Sequence, residues 1–509
     1  MARTLALLAL VAVSLSIAGC GGVGPASSTP ANNRGIAGVP GDAKSESLVA
    51  ADSFRPAASP REAAPAQRAP LPPTVSATGQ FRSGTLTAGS LDDQTKFAEF
   101  SAYLSNAMQH DRREELPRFS VGRRAVVRVV NERGEPIGDA RVTICATDSH
   151  ALAAAGQQFA IGKAAALFET TTGADGQAVF LSGLDAPSGE SEFVLSVTPG
   201  NSGQPVTQRV SLDQTPWLVT LQQAKRELPR QLDLALVIDT TGSMGDELNY
   251  LKAEIDKIAA DVHERFPNVD QRFGLVLYRD QGDEYVTRSF DFTPSLAEFR
   301  RTLAAQSANG GGDYPEAMHL ALEQSTQLAW RGAGTARIVF LVADAPPHVQ
   351  FAQRTLDAVQ KLRRQGVTVF PVASSGVREQ AEFIMRVIGF LTQGKYLFLT
   401  DHSGVGDLHA KPQAASYLVE KLDQLMIRMI AEKLSGQTGL PQDVIAVEEP
   451  DQVSSVVPEV NPATAASRPH VPAQVFTAPA QFNGWGIAEI AACIGAAMLL
   501  IVVERVLSV

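Results

Sequence analysis

Leu232-Asp233-Leu234-Ala235-Leu236-Val237-Ile238-Asp239-Thr240-Thr241-Gly242-Ser243-Met244 is the most informative stretch of this chain. Its first seven residues are almost continuously apolar, as expected of a strand buried on both faces of a parallel sheet. It then turns abruptly to carboxylate and hydroxyl side chains. A helical pattern follows over 246–266, with Leu248, Leu251, Ile255, Ile258 and Val262 on one face. A buried strand, a polar turn and an amphipathic helix form the repeating unit of a doubly wound α/β sheet.

The unit recurs downstream. Strands are expected at 272–278, 337–343, 367–372 and 395–399, with an antiparallel edge at 286–292. Helices are expected at 296–305, 315–330, 356–365 and 380–391, the second with Pro315 in its first turn. The fold class is therefore α/β, a doubly wound and mainly parallel Rossmann-like sheet over 230–435. Ligands in such folds bind beyond the carboxyl ends of the strands. Three oxygen-rich loops are expected there: Asp239 to Met244, Gly310-Gly311-Gly312-Asp313-Tyr314-Pro315-Glu316, and Asp344-Ala345-Pro346-Pro347-His348. Carboxylates and hydroxyls without thiols or a histidine cluster suit a hard divalent cation, with Mg²⁺ first and Ca²⁺ or Mn²⁺ as alternatives.

"DTTGSM", "GGGDYPEA" and "VADAPPH" together resemble a von Willebrand factor A (vWA) domain over about 200 residues. The resemblance implies a metal-ion-dependent adhesion site (MIDAS). Asp239, Thr241 and Ser243 match its Asp-x-Ser/Thr-x-Ser loop, and Asp344 matches the aspartate after the fourth strand. Asp313 stands where the family usually has threonine. A third carboxylate would strengthen cation binding and make the metal a weaker acceptor for a partner's carboxylate, the family's usual mode of adhesion. This variant resembles a bacterial and α-kinase-associated branch, although the chain has no kinase motif. Simpler roles compete for the same residues. Asp239 and Ser243 suit helix capping, and Asp313 and Glu316 suit a helix N-terminus. Glu316, His348 and Asp401 are candidates for a shell around the metal, and a polar loop is the plainer role for Asp401.

Ahead of the α/β region, 119–222 reads as an all-β sandwich. Ala125 to Val130 and Ala140 to Ile144 are strand-like, and Asn131-Glu132-Arg133-Gly134-Glu135-Pro136 is a turn. "NERGEPIGDARVTI" and "TTGADGQAVF" resemble transthyretin-like or Ig-like modules such as carboxypeptidase regulatory-like repeats. An amphipathic helical segment is expected within 81–118, from Phe97, Phe100, Tyr103, Leu104 and Met108.

The two ends carry membrane signals. Arg3, an apolar run over 5–17 and Ala18-Gly19-Cys20 resemble a bacterial lipoprotein signal, which implies a signal peptide over 1–19 and acylation of Cys20. Residues 20–80 form a Pro/Ala/Ser tether, with nine prolines in 21–80. A second Pro-rich linker is expected over 441–483. Residues 486–503 suit a membrane-crossing helix, with Trp485 at the interface and Glu489 near one end. A spanning helix implies a cytoplasmic membrane, whereas lipoproteins of diderm bacteria usually go to the outer one. Either reading places the bulk of the chain outside the cytoplasm, in the periplasm or at the cell surface.

Composition agrees. In 509 residues there are 44 Lys+Arg against 54 Asp+Glu, a net charge of −10, so nucleic acid is not an expected partner. Three cysteines cannot build a disulfide framework or a thiolate zinc site. Ser243 lies in a strand-turn-helix but lacks the Gly-x-Ser-x-Gly elbow of a hydrolase, and no enzyme is expected. The expected function is divalent-cation-dependent protein binding, as an adhesion module or assembly scaffold. The alternatives are an envelope protein whose metal is structural, and a hydrolase acting through Ser243.

Overall fold

The computed structural model describes residues 84–109, 116–117, 119–147, 166–186, 189–200, 203–404 and 409–448. The expected signal peptide, Cys20, the first tether, most of the second and the 486–503 helix lie outside them. Among the described residues no helix is long and apolar enough to cross a membrane.

The described chain starts with β1 (Thr87–Leu91) and α1 (Phe97–Gln109). The strands β2 (Arg124–Asn131), β3 (Arg141–Ala146), β4 (Ala166–Thr171) and β5 (Gln177–Leu181) follow, then a single turn, α2 (Ser182–Asp185). Next come β6 (Glu192–Thr198), β7 (Val206–Ser211) and β8 (Trp217–Leu221). Strands β2 to β8 make two sheets, β5-β2-β8 and β4-β3-β6-β7. Inward residues from both, including Val127, Val129, Ile144, Phe180, Phe193 and Trp217, share one core. Burial alternates along β2, as a strand with one face on a core requires.

The rest of the chain builds the large sheet: β9 (Gln231–Asp239), α3 (Gly245–Arg265), β10 (Asp270–Tyr278), β11 (Thr287–Thr293), α4 (Leu296–Ala304), α5 (Met318–Ser325) and β12 (Thr335–Ala343). It continues with α6 (Ala352–Arg364), β13 (Val367–Ala373), α7 (Glu379–Leu391), β14 (Tyr396–Thr400), β15 (Tyr417–Lys421), α8 (Leu422–Ser435) and β16 (Ala446–Glu448). The order is β11-β10-β9-β12-β13-β14-β1-β15-β16, with β10-β9-β12-β13-β14 parallel. β9 feeds two cores. Ala235 and Val237 pack towards α5, α6 and α7, while Leu234, Leu236 and Ile238 pack towards α3, α4 and α8. This double burial explains the nearly unbroken apolar run.

β1 is a full member of this sheet. It lies antiparallel between β14 and β15, and Gly89 faces the Phe398 ring so closely that any Cβ would clash with it. α1 joins one helical layer, its Phe100 ring 4.5 Å from that of Phe390. The sandwich is thus inserted in sequence between two parts of the same α/β unit. It packs beneath the amino ends of β12 and β13. There the Arg363 guanidinium grips Asp185 with two bonds of 2.7 and 2.8 Å, donates to Val179 O at 2.7 Å and lies 4.1 Å from the Phe168 ring centroid. The backbone N–H of Gly334 donates to Asp139 at 2.6 Å. The carboxyl ends of the parallel strands face away from this junction.

Candidate metal centre

At the carboxyl end of β9, Asp239 is fully buried. Its Oδ1 accepts from the Thr241 N–H at 2.9 Å and the Thr241 hydroxyl at 2.7 Å. Its Oδ2 is also buried and has no partner at hydrogen-bond distance. Thr241 Oγ1 stands 3.4 Å from Ser243 Oγ. Neither hydroxyl caps the helix: α3 follows Met244, and no side chain bonds its first turn. Ser243 lies beside Asp344 and opposes the rise of its pKa; Asp344 stands just past β12, is 6% exposed, and has a buried Oδ1 with no partner. The first and last of the expected loops therefore meet.

The middle loop arrives differently from the expectation of a helix over 315–330. The Glu316 N–H donates to Pro346 O at 2.9 Å, forming a parallel bridge between Glu316 and Pro347. This β-type pairing holds the backbone at Glu316 extended, and α5 begins only at Met318. It ends at Ser325, whose carbonyl accepts from the Trp330 indole at 2.9 Å. The bridge draws Glu316 inward beside Asp239 and Asp344; it is 4% exposed, and its Oε2 is buried without a partner. Asp313 stays exposed at the mouth of the loop. The glycines before it make this approach possible. Gly310 and Gly311 have φ of +80° and +76°, in the left-handed region glycine favours. A Cβ at Gly311 would lie 3.1 Å from Glu316 Oε1 and 3.2 Å from Thr241 Cβ. Asp283 holds the Gly311 N–H at 3.0 Å, and Gly310 O accepts from the Gly242 N–H at 3.1 Å.

Burial of like charges dominates the electrostatics. Desolvation, reinforced by Asp344, pushes the Asp239 carboxyl up to about 7, against the opposing bonds from Thr241 and the influence of the neighbouring Tyr278 hydroxyl. Glu316 is pushed up to about 9 by burial and then by Asp239, Asp280, Asp344 and Asp283. Asp344 is raised by burial, with Glu247 adding to the effect and Ser243 opposing it. Orphaned buried carboxylate oxygens carry a desolvation cost that a bound cation would remove. Among the described residues no three His, Cys, Asp or Glu form a metal-holding group by themselves. A cation here would need the hydroxyls of Thr241 and Ser243 as well as Asp239 and Asp344, which is the donor chemistry of a hard, oxygen-liganded ion.

The surrounding shell has two arms. His348 Nε2 lies 2.7 Å from Asp280 Oδ1, and Asp280 in turn acts on Glu316. On the other side, Asp401 Oδ1 meets His409 Nδ1 at 2.8 Å, and His409 Nε2 meets Ser375 Oγ at 3.2 Å. Ser375 donates its hydroxyl to Glu247 at 2.5 Å and its N–H to the same oxygen at 3.1 Å. Asp401 is thus linked through three residues to the first turn of α3. The serine's one hydroxyl proton goes to Glu247, the shorter contact, so Ser375 serves as a link in this chain. Sequence reading did not single out Glu247 or Ser375. The 128 residues separating them leave no local signal.

The von Willebrand factor A domain family matches residues 233–404, from β9 to just past β14. The match supports a vWA domain over that stretch. The alpha-protein kinase vwkA of Dictyostelium discoideum is 33% identical over 119 residues, covering 23% of this chain and 19% of that protein. The human von Willebrand factor A domain-containing protein 7 is 30% identical over 195 residues, covering 37% of this chain and 21% of that protein. A solved von Willebrand factor type A structure from Catenulispora acidiphila is 16% identical, covering 40% of each chain with a TM-score of 0.25. This chain spans about a fifth of the length of the curated relatives it matches.

Proposed function

We propose that this protein is an envelope-anchored module that binds a protein partner through a divalent cation held at the vWA site. The observation carrying this reading is the cluster of orphaned buried oxygens: Asp239 Oδ2, Asp344 Oδ1 and Glu316 Oε2, beside two hydroxyls not spent on capping. Asp239, Thr241, Ser243 and Asp344 would hold the ion, Mg²⁺ by the hardness of the donors, and Glu316 would balance its charge from the inner side. Asp313, exposed at the rim, would bond the ion's water. A partner carboxylate would complete the coordination from the open edge. Arg378 gives that edge a cationic point, with its guanidinium 4.2 Å from the Tyr314 ring centroid and its N–H on the Tyr314 hydroxyl at 2.8 Å. Acylated Cys20 and the 486–503 helix would be the anchors, and the bulk of the chain would lie in the periplasm or at the cell surface. The role is non-enzymatic.

Capture from envelope extracts with Mg²⁺ and with chelator tests the reading. One or more proteins should be retained in Mg²⁺ and released by chelator, and Asp239→Ala should retain none. Equal capture by Asp239→Ala would reject the metal-dependent role. A metal that stabilises the fold while no protein is captured would make the ion structural.

A further inference from the structure

Between the sandwich and the amino ends of the large sheet lies a cleft of about 450 Å³, at the opposite end of the sheet from the metal centre. This volume falls within the roughly 300–1,000 Å³ range of small-molecule sites, which favour junctions of this kind. Both units line it, and its charges are unevenly satisfied. The acidic groups are committed. Asp92 faces Lys395 at 3.6 Å and accepts the N–H groups of Gln94 and Thr95. Asp139 holds the Gly334 N–H, Asp175 the Gln177 N–H, and Glu432 pairs with Lys395 at 2.8 Å and Arg428 at 3.5 Å.

Several cations of the cleft have no such partner. Arg124 Nε is buried without any hydrogen bond, and its guanidinium lies 5.4 Å from the Phe97 ring centroid. Lys433 Nζ donates to the Gln393 carbonyl at 2.7 Å and lies 6.0 Å from the Phe370 ring centroid. Arg337 donates to the carbonyls of Arg331, Gln365 and Gly332. Burial depresses the pKa of all three, the sign expected where cations lose water without gaining enough negative charge. Arg128, exposed at the rim, stands four residues from Arg124 on the same face of β2.

We propose that this cleft is a binding site for a small polyvalent anion bearing phosphate or carboxylate groups. Arg124, Arg128 and Lys433 contact it, and Arg337 adds charge from the cleft wall. Guanidinium groups bond such planar or tetrahedral oxyanions in pairs. The ligand would touch the sandwich and the vWA domain together and so tie their junction.

The test is isothermal titration calorimetry on the full chain freed of metal by a chelating resin and kept in metal-free buffer, with pyrophosphate and citrate as separate probes and sodium chloride at matched ionic strength as the reference. At least one probe should bind saturably. Arg124→Gln and Arg128→Gln should each weaken it about tenfold, while Arg300→Gln on the distant α4 should not. Pyrophosphate binding alone marks a phosphate ligand, and citrate binding alone a carboxylate one. If Arg124→Gln does not fold, Arg128→Gln at the exposed rim carries the test. Heats no larger than those of the salt reference, or unchanged binding in the folded Arg variants, would overturn the proposal.

Discussion

The two ends of β9 each bury an aspartate, and they treat it in opposite ways. At the amino end Asp233 is fully buried and fully bonded. Arg272 donates Nε and Nη2 at 2.9 and 2.8 Å, and Arg331 donates its N–H and Nε at 2.8 Å each. At the carboxyl end, six residues on, Asp239 is equally buried, yet one oxygen has no partner and its neighbours are Asp344 and Glu316. One strand thus carries a carboxylate that holds the fold together and another whose charge the fold leaves uncompensated. A buried carboxylate alone therefore says little; its remaining bonding capacity separates the structural one from the functional one.

Breaking the satisfied end should have the largest effect. Arg331→Ala leaves Asp233 buried and short of donors, and should cost about 3–5 kcal/mol in a urea melt. A loss under about 1 kcal/mol would remove the contrast.

The unsatisfied end should reveal itself through pH. Asp239 rises from 3.8 to about 7 and Glu316 from 4.5 to about 9 on folding. The unfolded chain releases these protons first, so the contribution of these two groups to stability is fully present below about pH 4 and is lost as pH climbs towards 9. The decline in chelator should amount to several kcal/mol, at about 1.4 kcal/mol per pKa unit. Glu254, which burial raises to about 7, contributes with the same sign but is not part of the site. Mg²⁺ should therefore cancel only part of the decline, and melts at pH 5 and 8.5 with and without Mg²⁺ measure that part.

Mg²⁺ at a hundred times its dissociation constant should stabilise the protein by about 2.7 kcal/mol. Asp239→Ala should abolish this gain while leaving the metal-free protein as stable as before, or more so. A metal-free loss of several kcal/mol would make Asp239 a structural residue like Asp233. The smallest effects concern the middle loop. Gly311→Ala should cost about 1–2 kcal/mol through its positive φ and reduce the Mg²⁺ shift, whereas Asp313→Asn should change metal-free stability by less than about 0.5 kcal/mol.

Much of the fold was legible because the large sheet is buried on both faces, which writes apolar runs into β9, β12 and β13. The Asp239–Ser243 loop was equally readable, since its chemistry lies in consecutive residues. β1 was not, because Thr-Ala-Gly-Ser-Leu has no marked period and its place depends on Phe398 and Tyr417, some 300 residues away. The inward position of Glu316 was hidden for another reason. Pro315 suits a helix start locally, and the pairing of Glu316 with the distant Pro347 overrides it. The chain from Asp401 to Glu247 joins distant segments and leaves no trace in any local window.

The place of β1 also decides how the molecule would answer to tension. A pull on residue 84 along the strand loads β1 in shear, against hydrogen bonds to β14 and β15 on both sides that must give way together. A pull on residue 448 meets β16, a three-residue strand paired on one side only among the described residues, which can peel bond by bond. Under load from both ends the carboxyl-terminal strand would yield first. The amino-terminal attachment would still hold the sheet, with Asp239 and Asp344 in place.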